Sequence, residues 1–469
     1  MKTVLAIVTK GLVCRNFLRS GVLTHLLADQ EMRVVLVLPR NVSPEFCRDF
    51  DHPRVVIEKV PMMSHGWFRG YLFTPFTRNL LFTRTRRLLL RYGSGKIKRT
   101  SFFLYALTWM VYAPLSHLSW LKRLTEWIEM HAFPDNEVAS LFDTYQPSLV
   151  VALSLLSKED VAFLKQAKRR GIPTLAMPKG WDTLDRYHFE VKPDHLALQN
   201  PCMVRFGERY HGYDRSKLHL IGFPIFDFSV KPEYLWPRER LCAAFGLDPS
   251  RPYIVYGSEG VWSRDELPVV EKIVEWVQSE RFGKISLVIR PYFGFIKTHP
   301  FRGMAGLPHV AIDDEHRLQP FFPDGWDPTE EETVRLANLM RHAAVVICVR
   351  STLSLDAAVV DRPVINVGYH AYIDDRGVDS TERFYEMDFY QDVLRSDGVA
   401  FVKNEDELAI AIQDALTHPE HRAEGRARLR DELCYRTDGK AAERFATLIS
   451  ELASGGRERS ATVDDHDFR

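Results

Sequence analysis

"VVICVRSTLSLDAAVVDRPVINVGY" runs from Val345 to Tyr369. One apolar run ends at Val349, and Arg350 follows it. Ser351-Thr352 then opens a new stretch that closes at Arg362-Pro363, where a second apolar run begins. Short β-branched runs bounded by turn residues predict buried strands, and the residues between them predict a helix. Near-continuous apolar strands joined through a helix indicate a parallel sheet covered on both faces. The N-terminus of the connecting helix offers unpaired N–H groups and the positive end of a dipole, which suit a phosphate. Ser351 and Thr352 add hydroxyl donors, and Asp356 is placed to accept from a ribose diol. The same residue types also serve as ordinary helix caps.

The strand–helix rhythm extends in both directions. Thr3–Thr9, Arg33–Pro39, Arg54–Val60, Leu149–Ser154, Thr174–Pro178, His195–Gln199 and Leu218–Pro224 read as strands. Amphipathic patterns over Arg15–Gln30 and Lys158–Arg170 read as helices between them. Asp227–Arg240, with two prolines and several charges, reads as a linker. The rhythm restarts with Pro252–Gly260, a helix over Glu266–Ser279, then Ile285–Pro291, Val310–Asp314, Ala344–Val349, Pro363–Val367 and Val399–Asn404. The chain has 469 residues, and single cores stop growing near roughly 250–300. The reading is therefore α/β, with two Rossmann-like doubly wound domains and a cleft between them. The first spans 1–230 with a basic, aromatic insertion over 61–131, and the second spans 241–430. A closing helix covers 431–453, and a polar, disordered tail covers 454–469.

Composition narrows the class. Apolar residues make up 45% and charged residues 26%, with 62 basic and 62 acidic groups, which describes a soluble globular chain and predicts no acidic polymer as partner. The six cysteines show no paired metal spacing, so buried free thiols in a reducing compartment are expected. The start, "MKTVLAIVTKG", reads as a first strand, not as a signal peptide, which places the protein in the cytoplasm.

The balance breaks locally. Between Glu58 and Glu126 there is no acid, yet twelve Lys and Arg residues occur, from Lys59 to Arg123, mixed with aromatics such as Trp67, Trp109 and Trp120. Ser101–Trp120 carries no charge apart from His117. Its Pro114 and hydroxyl residues weaken a membrane span. Two readings stay open: a buried helix pair, or an anionic membrane surface met through residues 59–125. Nucleic acid is not expected, since no nucleic-acid module surrounds the run.

Ser351-Thr352-x-x-x-Asp356-Ala357-x-x-x-Asp361-Arg362-Pro363-Val364-Ile365 resembles the donor-nucleotide segment of GT-B-fold glycosyltransferases. That segment recurs in the related UDP-sugar epimerases and CDP-glycerol transferases. Asp356 and Asp361 stand where Glu and Gly are usual. Lys179–Gly212, the close "GFPIFD" (Gly222–Asp227), Gly398–Leu416 and Thr437–Ile449 resemble bacterial surface-carbohydrate transferases. The resemblance covers Lys179 to Leu452. It implies that Ser351 and Thr352 hold the donor diphosphate, that Asp356 holds the ribose, and that Gly257, Ser258 and Glu259 line the donor phosphates. Small residues after a strand fit that role, since they let backbone approach a ligand. Glu259 is odd beside phosphate; it reads as a contact to a sugar hydroxyl or as a turn residue. Arg290, at the next strand end, suits a phosphate. Pro291-Tyr292-Phe293 departs from the Arg-x-His-Pro of the CDP-glycerol branch.

Asp182, with His188 second, is the expected base that takes the acceptor's proton; Asp182 also reads as a turn residue. Arg15, Arg19 and Ser20 either hold an anionic acceptor or form an exposed helix face. No Asp-x-Asp closes a strand, so no metal and no cofactor are expected, and no P-loop or G-x-G-x-x-G follows the first strand. The implied activity is a metal-independent transfer of sugar from a nucleotide-sugar to a glycan or lipid-linked acceptor in bacterial cell-envelope or capsule assembly, on the inner membrane face. The rivals are CDP-linked polyol-phosphate transfer, UDP-sugar 2-epimerisation, and a silent membrane-face scaffold.

Overall fold

The computed structural model describes residues 1–93, 100–260, 266–292, 294, 299–318, 321–369 and 381–455. Among these residues thirteen strands form two parallel sheets. The first holds β1 (Lys2–Ile7), β2 (Met32–Pro39), β3 (Val55–Val60), β4 (Leu149–Ala152), β5 (Thr174–Ala176), β6 (His195–Leu198) and β7 (Leu218–Leu220). The second holds β8 (Tyr253–Gly257), β9 (Ser286–Arg290), β10 (Val310–Ile312), β11 (Val345–Cys348), β12 (Val364–Val367) and β13 (Ala400–Val402). Their orders are β3-β2-β1-β4-β5-β6-β7 and β10-β9-β8-β11-β12-β13. Both orders reverse direction beside the first strand of the sheet, leaving a crevice at the carboxyl ends of β1 and β8, where doubly wound sheets bind ligands. Each apolar run of the sequence is one of these strands, and β1, β4, β8 and β11 are buried along almost their whole length.

The predicted helix over Arg15–Gln30 is two helices, α1 (Gly11–Phe17) and α2 (Val22–Ala28). Gly21, at φ +84°, breaks them apart in a conformation that glycine adopts at little cost. The insertion between β3 and β4 carries α3 (Arg84–Tyr92), α4 (Phe102–Leu115) and α5 (Ser119–Ala132). α6 (Lys158–Arg169) follows β4. α7 (Leu353–Val359) joins β11 to β12, and α8 (Glu405–Thr417) follows β13. α9 (Ala441–Ala453) closes the described chain and packs against α2, and its Phe445 ring lies 5.9 Å from that of Phe17 in α1. The last helix thus returns to the first sheet.

The predicted linker is structured. Asp227 accepts hydrogen bonds from the N–H groups of Ala441 and Ala442 at 3.1 and 3.0 Å. A carboxylate on the first turn of α9 satisfies donors that the helix cannot pair itself. The tail from 456 onward lies outside the described residues.

α5 is fastened from beneath by buried charge. Glu129 is fully buried and accepts from Arg69, and from Lys165 of α6 at 2.9 Å. Asp135 binds the same two cations, with Lys165 at 2.6 Å.

Candidate functional site

Five strand ends deliver side chains to the crevice. Lys10 and Arg15 follow β1; Lys179, Trp181, Asp182 and Arg186 follow β5; Ser258 and Glu259 follow β8. Arg290 ends β9 with Tyr292 beyond it, and Arg350, Ser351 and Thr352 follow β11.

The opening stretch sits on a fixed floor. Tyr390 donates to Asn366 Oδ1 at 2.9 Å, and Asn366 Nδ2 donates to Ser354 Oγ at 3.1 Å. This buried network ties the base of α7 to β12. Above it, Trp181 Nε1 donates to Thr352 Oγ1 across the crevice at 3.3 Å, and the Leu353 N–H donates to Ser351 Oγ at 3.3 Å. The backbone at Asp361 has φ +54°, the left-handed region that favours glycine and that Asp tolerates. Its carboxylate accepts from Arg426 at 2.8 Å. The departure from the glycine of the resembled segment therefore keeps the turn.

Asp356 is buried against two cations from opposite domains. Burial raises its carboxyl to about 6, with Arg15 and Arg290 opposing the rise. Arg15 itself is lowered to about 10 by burial, sustained by Asp356 and further lowered by Arg290, and it lies 5.3 Å over the Trp326 ring. Arg15 thus stands with the second-domain set, not on an exposed helix face. Arg290 pairs with Asp313, which also binds Arg335 at 2.9 Å.

Glu259 is half-buried among Arg350, Ser351, Asp182 and Arg186. Burial raises its carboxyl to about 7, tempered by Arg350 and Ser351. Asp182 behaves oppositely. Burial works against its charge, but Arg186, Lys179 and Arg350 together hold it below the usual carboxylate range. It is ion-paired with Arg186 four residues on.

Several expected residues are engaged elsewhere. Ser258 Oγ donates to Glu266, and the same carboxylate accepts from the Glu259 N–H at 2.7 Å. The loop's donors are turned toward Glu266 and away from a phosphate. Gly257 is small for a packing reason: a Cβ there would meet Leu353 Cδ1 at 2.1 Å. His188 is held neutral by burial, its pKa lowered to about 3, with Lys122 and Lys192 nearby; its ring stacks on His211 at 6.4 Å. It is not among the groups acting on Asp182 or Glu259. Arg19 pairs with Asp49 at 2.6 Å and Asp327 at 3.5 Å, and Ser20 donates to the Asn16 carbonyl at 2.7 Å. Both are engaged in holding α1 in place. The α1 N–H groups of Gly11 and Leu12 donate to Asp324 at 2.9 and 3.1 Å, so a carboxylate of the second domain fills the anion position expected there.

Sequence reasoning missed Arg350, Arg186, Lys179 and Glu266. Arg350 was visible as the one charge between a buried strand and two hydroxyl residues. Glu266 carried no signal beyond the start of a helix. Among the described residues, one set of His and carboxylate groups comes within 4.8 Å of one another: exposed His418, Glu420 and His421 after α8. It borders a hollow of about 330 Å³ that also takes in Pro363 and Gly398. That is the opposite sheet edge from the crevice.

No protein-family model matches the chain, and no curated protein matches it in sequence. Solved structures do match along almost its whole length. The UDP-GlcNAc 2-epimerase from Neisseria meningitidis bound to UDP-GlcNAc superposes with TM-score 0.56 at 10% identity, over 97% of this chain and 100% of that one. The fold is GT-B. A putative UDP-N-acetylglucosamine 2-epimerase from Listeria monocytogenes gives TM-score 0.55 at 12% identity, over 98% of both chains. A variant of the wall teichoic acid polymerase TagF, soaked with CDPG, gives 0.52 at 12% identity, over 97% of this chain and 89% of that one. Likeness at these identities concerns the GT-B fold.

Proposed function

We propose that the protein is a nucleotide-sugar enzyme of bacterial cell-envelope assembly, and that it transfers the sugar to a glycan or lipid-linked acceptor. One observation carries this reading. In the crevice, five cations (Lys10, Arg15, Lys179, Arg186 and Arg350) stand against four carboxylates, Asp182, Asp324, Glu259 and Asp356, with Arg290 already paired to Asp313, and burial pushes Glu259 and Asp356 toward their neutral form. A diphosphate would balance that excess. Side chains fixed in a dry crevice stabilise charge developing on a leaving diphosphate without a metal. The structures that share the fold include proteins bound to UDP-GlcNAc and soaked with CDPG, which supports a nucleotide donor.

In this reading Ser351, Thr352, Arg350 and Arg290 hold the diphosphate, and Arg15 closes on it from the first domain. Glu259 replaces Asp182 as the base. A carboxylate near 7 takes a proton efficiently at neutral pH, whereas one held low by three cations is a weak base. Asp182 then orients Arg186. Epimerisation of a UDP-sugar is the second reading, favoured by matches that span the full length of the epimerases.

Thermal shift with UDP, CDP and UDP-sugars tests the pocket. The expected result is stabilisation by at least one of them, reduced about tenfold in apparent affinity by Ser351→Ala with Thr352→Ala. An unchanged shift in that variant removes the two hydroxyls from the site. Proton NMR of a UDP-sugar incubated with the protein alone separates the readings, because only an epimerase inverts a sugar carbon without an acceptor.

A further inference from the structure

Fifteen of the seventeen large apolar side chains that the described residues leave exposed fall between Met62 and Trp127. They gather on α4, α5 and the turn over Phe68–Phe73. α4 buries none of its fourteen residues. Phe102, Phe103 and Leu104 are consecutive and all exposed, Phe103 by 84%. Consecutive residues point in different directions around a helix, so α4 is apolar around its circumference. Such a helix belongs in a core or in lipid. At about 1.5 Å per residue it reaches roughly 21 Å, short of the roughly 30 Å hydrocarbon layer. Among the described residues no helix is long and apolar enough to cross a membrane.

Charge on this face has one sign. The sequence from Lys59 to Thr125 contains no acid. The acids of α5 are turned away: Glu126 accepts from the Lys192 N–H at 3.0 Å, and Glu129 lies fully buried beneath the helix. Arg123 is exposed beside Trp120 and Trp127. Arg91 lies 5.5 Å over Phe102, an apolar stem carrying its charge along the apolar surface. Tryptophan and basic side chains flanking an apolar helix are the groups that favour a membrane interface.

We propose that α4, α5 and the Phe68–Phe73 turn dock on an anionic lipid bilayer, with α4 lying in the interface and not crossing it. A second copy of the chain would need a flat face to match, whereas a rod apolar on all sides suits immersion. The surface also connects to the crevice. α3 packs on α4, and its Thr85 accepts from the Asp388 N–H of the second domain at 2.8 Å. Thr85 also donates to Asp185, whose carboxylate accepts from the Phe389 N–H at 3.2 Å. Docking through α4 therefore brings the crevice rim to the lipid surface. The inference does not rest on the donor chemistry, which the nucleotide shift reads separately.

Flotation of the full chain with phosphatidylcholine vesicles, with and without phosphatidylglycerol, at low and high salt, tests it. Binding to the anionic vesicles should exceed binding to neutral ones about tenfold at low salt and weaken at high salt. Tryptophan emission should shift to the blue on binding. Phe103→Ser with Leu107→Ser and Met110→Ser should cut binding at least about tenfold, while the melting temperature and the nucleotide shift stay unchanged. No binding to anionic vesicles at low salt overturns the proposal. So does a dimer, seen by light scattering, that this variant dissolves while vesicle binding persists.

Discussion

Two of the places where the molecule buries charge are built on opposite plans. Beneath α5, Arg69 and Lys165 are matched by Glu129 and Asp135, two charges of each sign. In the crevice the cations outnumber the carboxylates, and two carboxylates are driven toward neutrality. A balanced cluster holds structure together and presents no net charge to a ligand. An unbalanced one is kept in place by the surrounding fold and stays available to a ligand of opposite charge.

The widest break in the comparison is Glu129→Ala. It leaves Lys165 and Arg69 buried with one carboxylate between them, and should cost about 3–5 kcal/mol of stability in urea unfolding. Glu259→Gln should do the reverse, with stability retained and turnover down about 100-fold. The alkaline-going rise of activity near pH 7 should vanish in this variant, measured as a pH–rate profile. Glu266 sharpens the contrast. Its carboxyl is raised from 4.5 to about 8, chiefly by burial. The folded state holds that proton more tightly than the unfolded chain, so the contribution of Glu266 to stability is fully present below pH 4.5 and is lost as pH rises toward 8. Glu266→Gln should flatten that decline, measured as urea unfolding between pH 4.5 and 8. The smallest effect belongs to Asp182→Asn. Turnover should drop about tenfold through a less ordered Arg186, with the pH–rate midpoint near 7 kept, in contrast to Glu259→Gln.

The sheets were legible because burial on both faces writes each strand as an unbroken apolar run. Ser351, Thr352 and Asp356 were legible as a group because they lie within six residues. What stayed hidden depends on residues far apart in the chain. Arg15 reads as a helix-face cation until Asp356 is found opposite it. Ser258 reads as a phosphate donor until Glu266 is found on its hydroxyl. Glu259 looked misplaced beside phosphate because its protonation is set by burial, and burial depends on the fold around it. The insertion failed differently. Its apolar residues predict core packing or membrane contact equally well, and only their positions show that α4 has no protein burying it.

The return of α9 to the first sheet has a mechanical consequence. The chain passes between the domains twice, once after Asp227 and once before Ala441, and the Asp227 carboxylate clamps these two points to each other. Any widening of the crevice must turn about a line through that clamp. The backbone beside it is already bent into rare conformations, with Tyr435 at φ +49° and Arg436 at φ +33°. The bonds from Gly11 and Leu12 to Asp324 also cross between the domains, and a wider crevice has to part them.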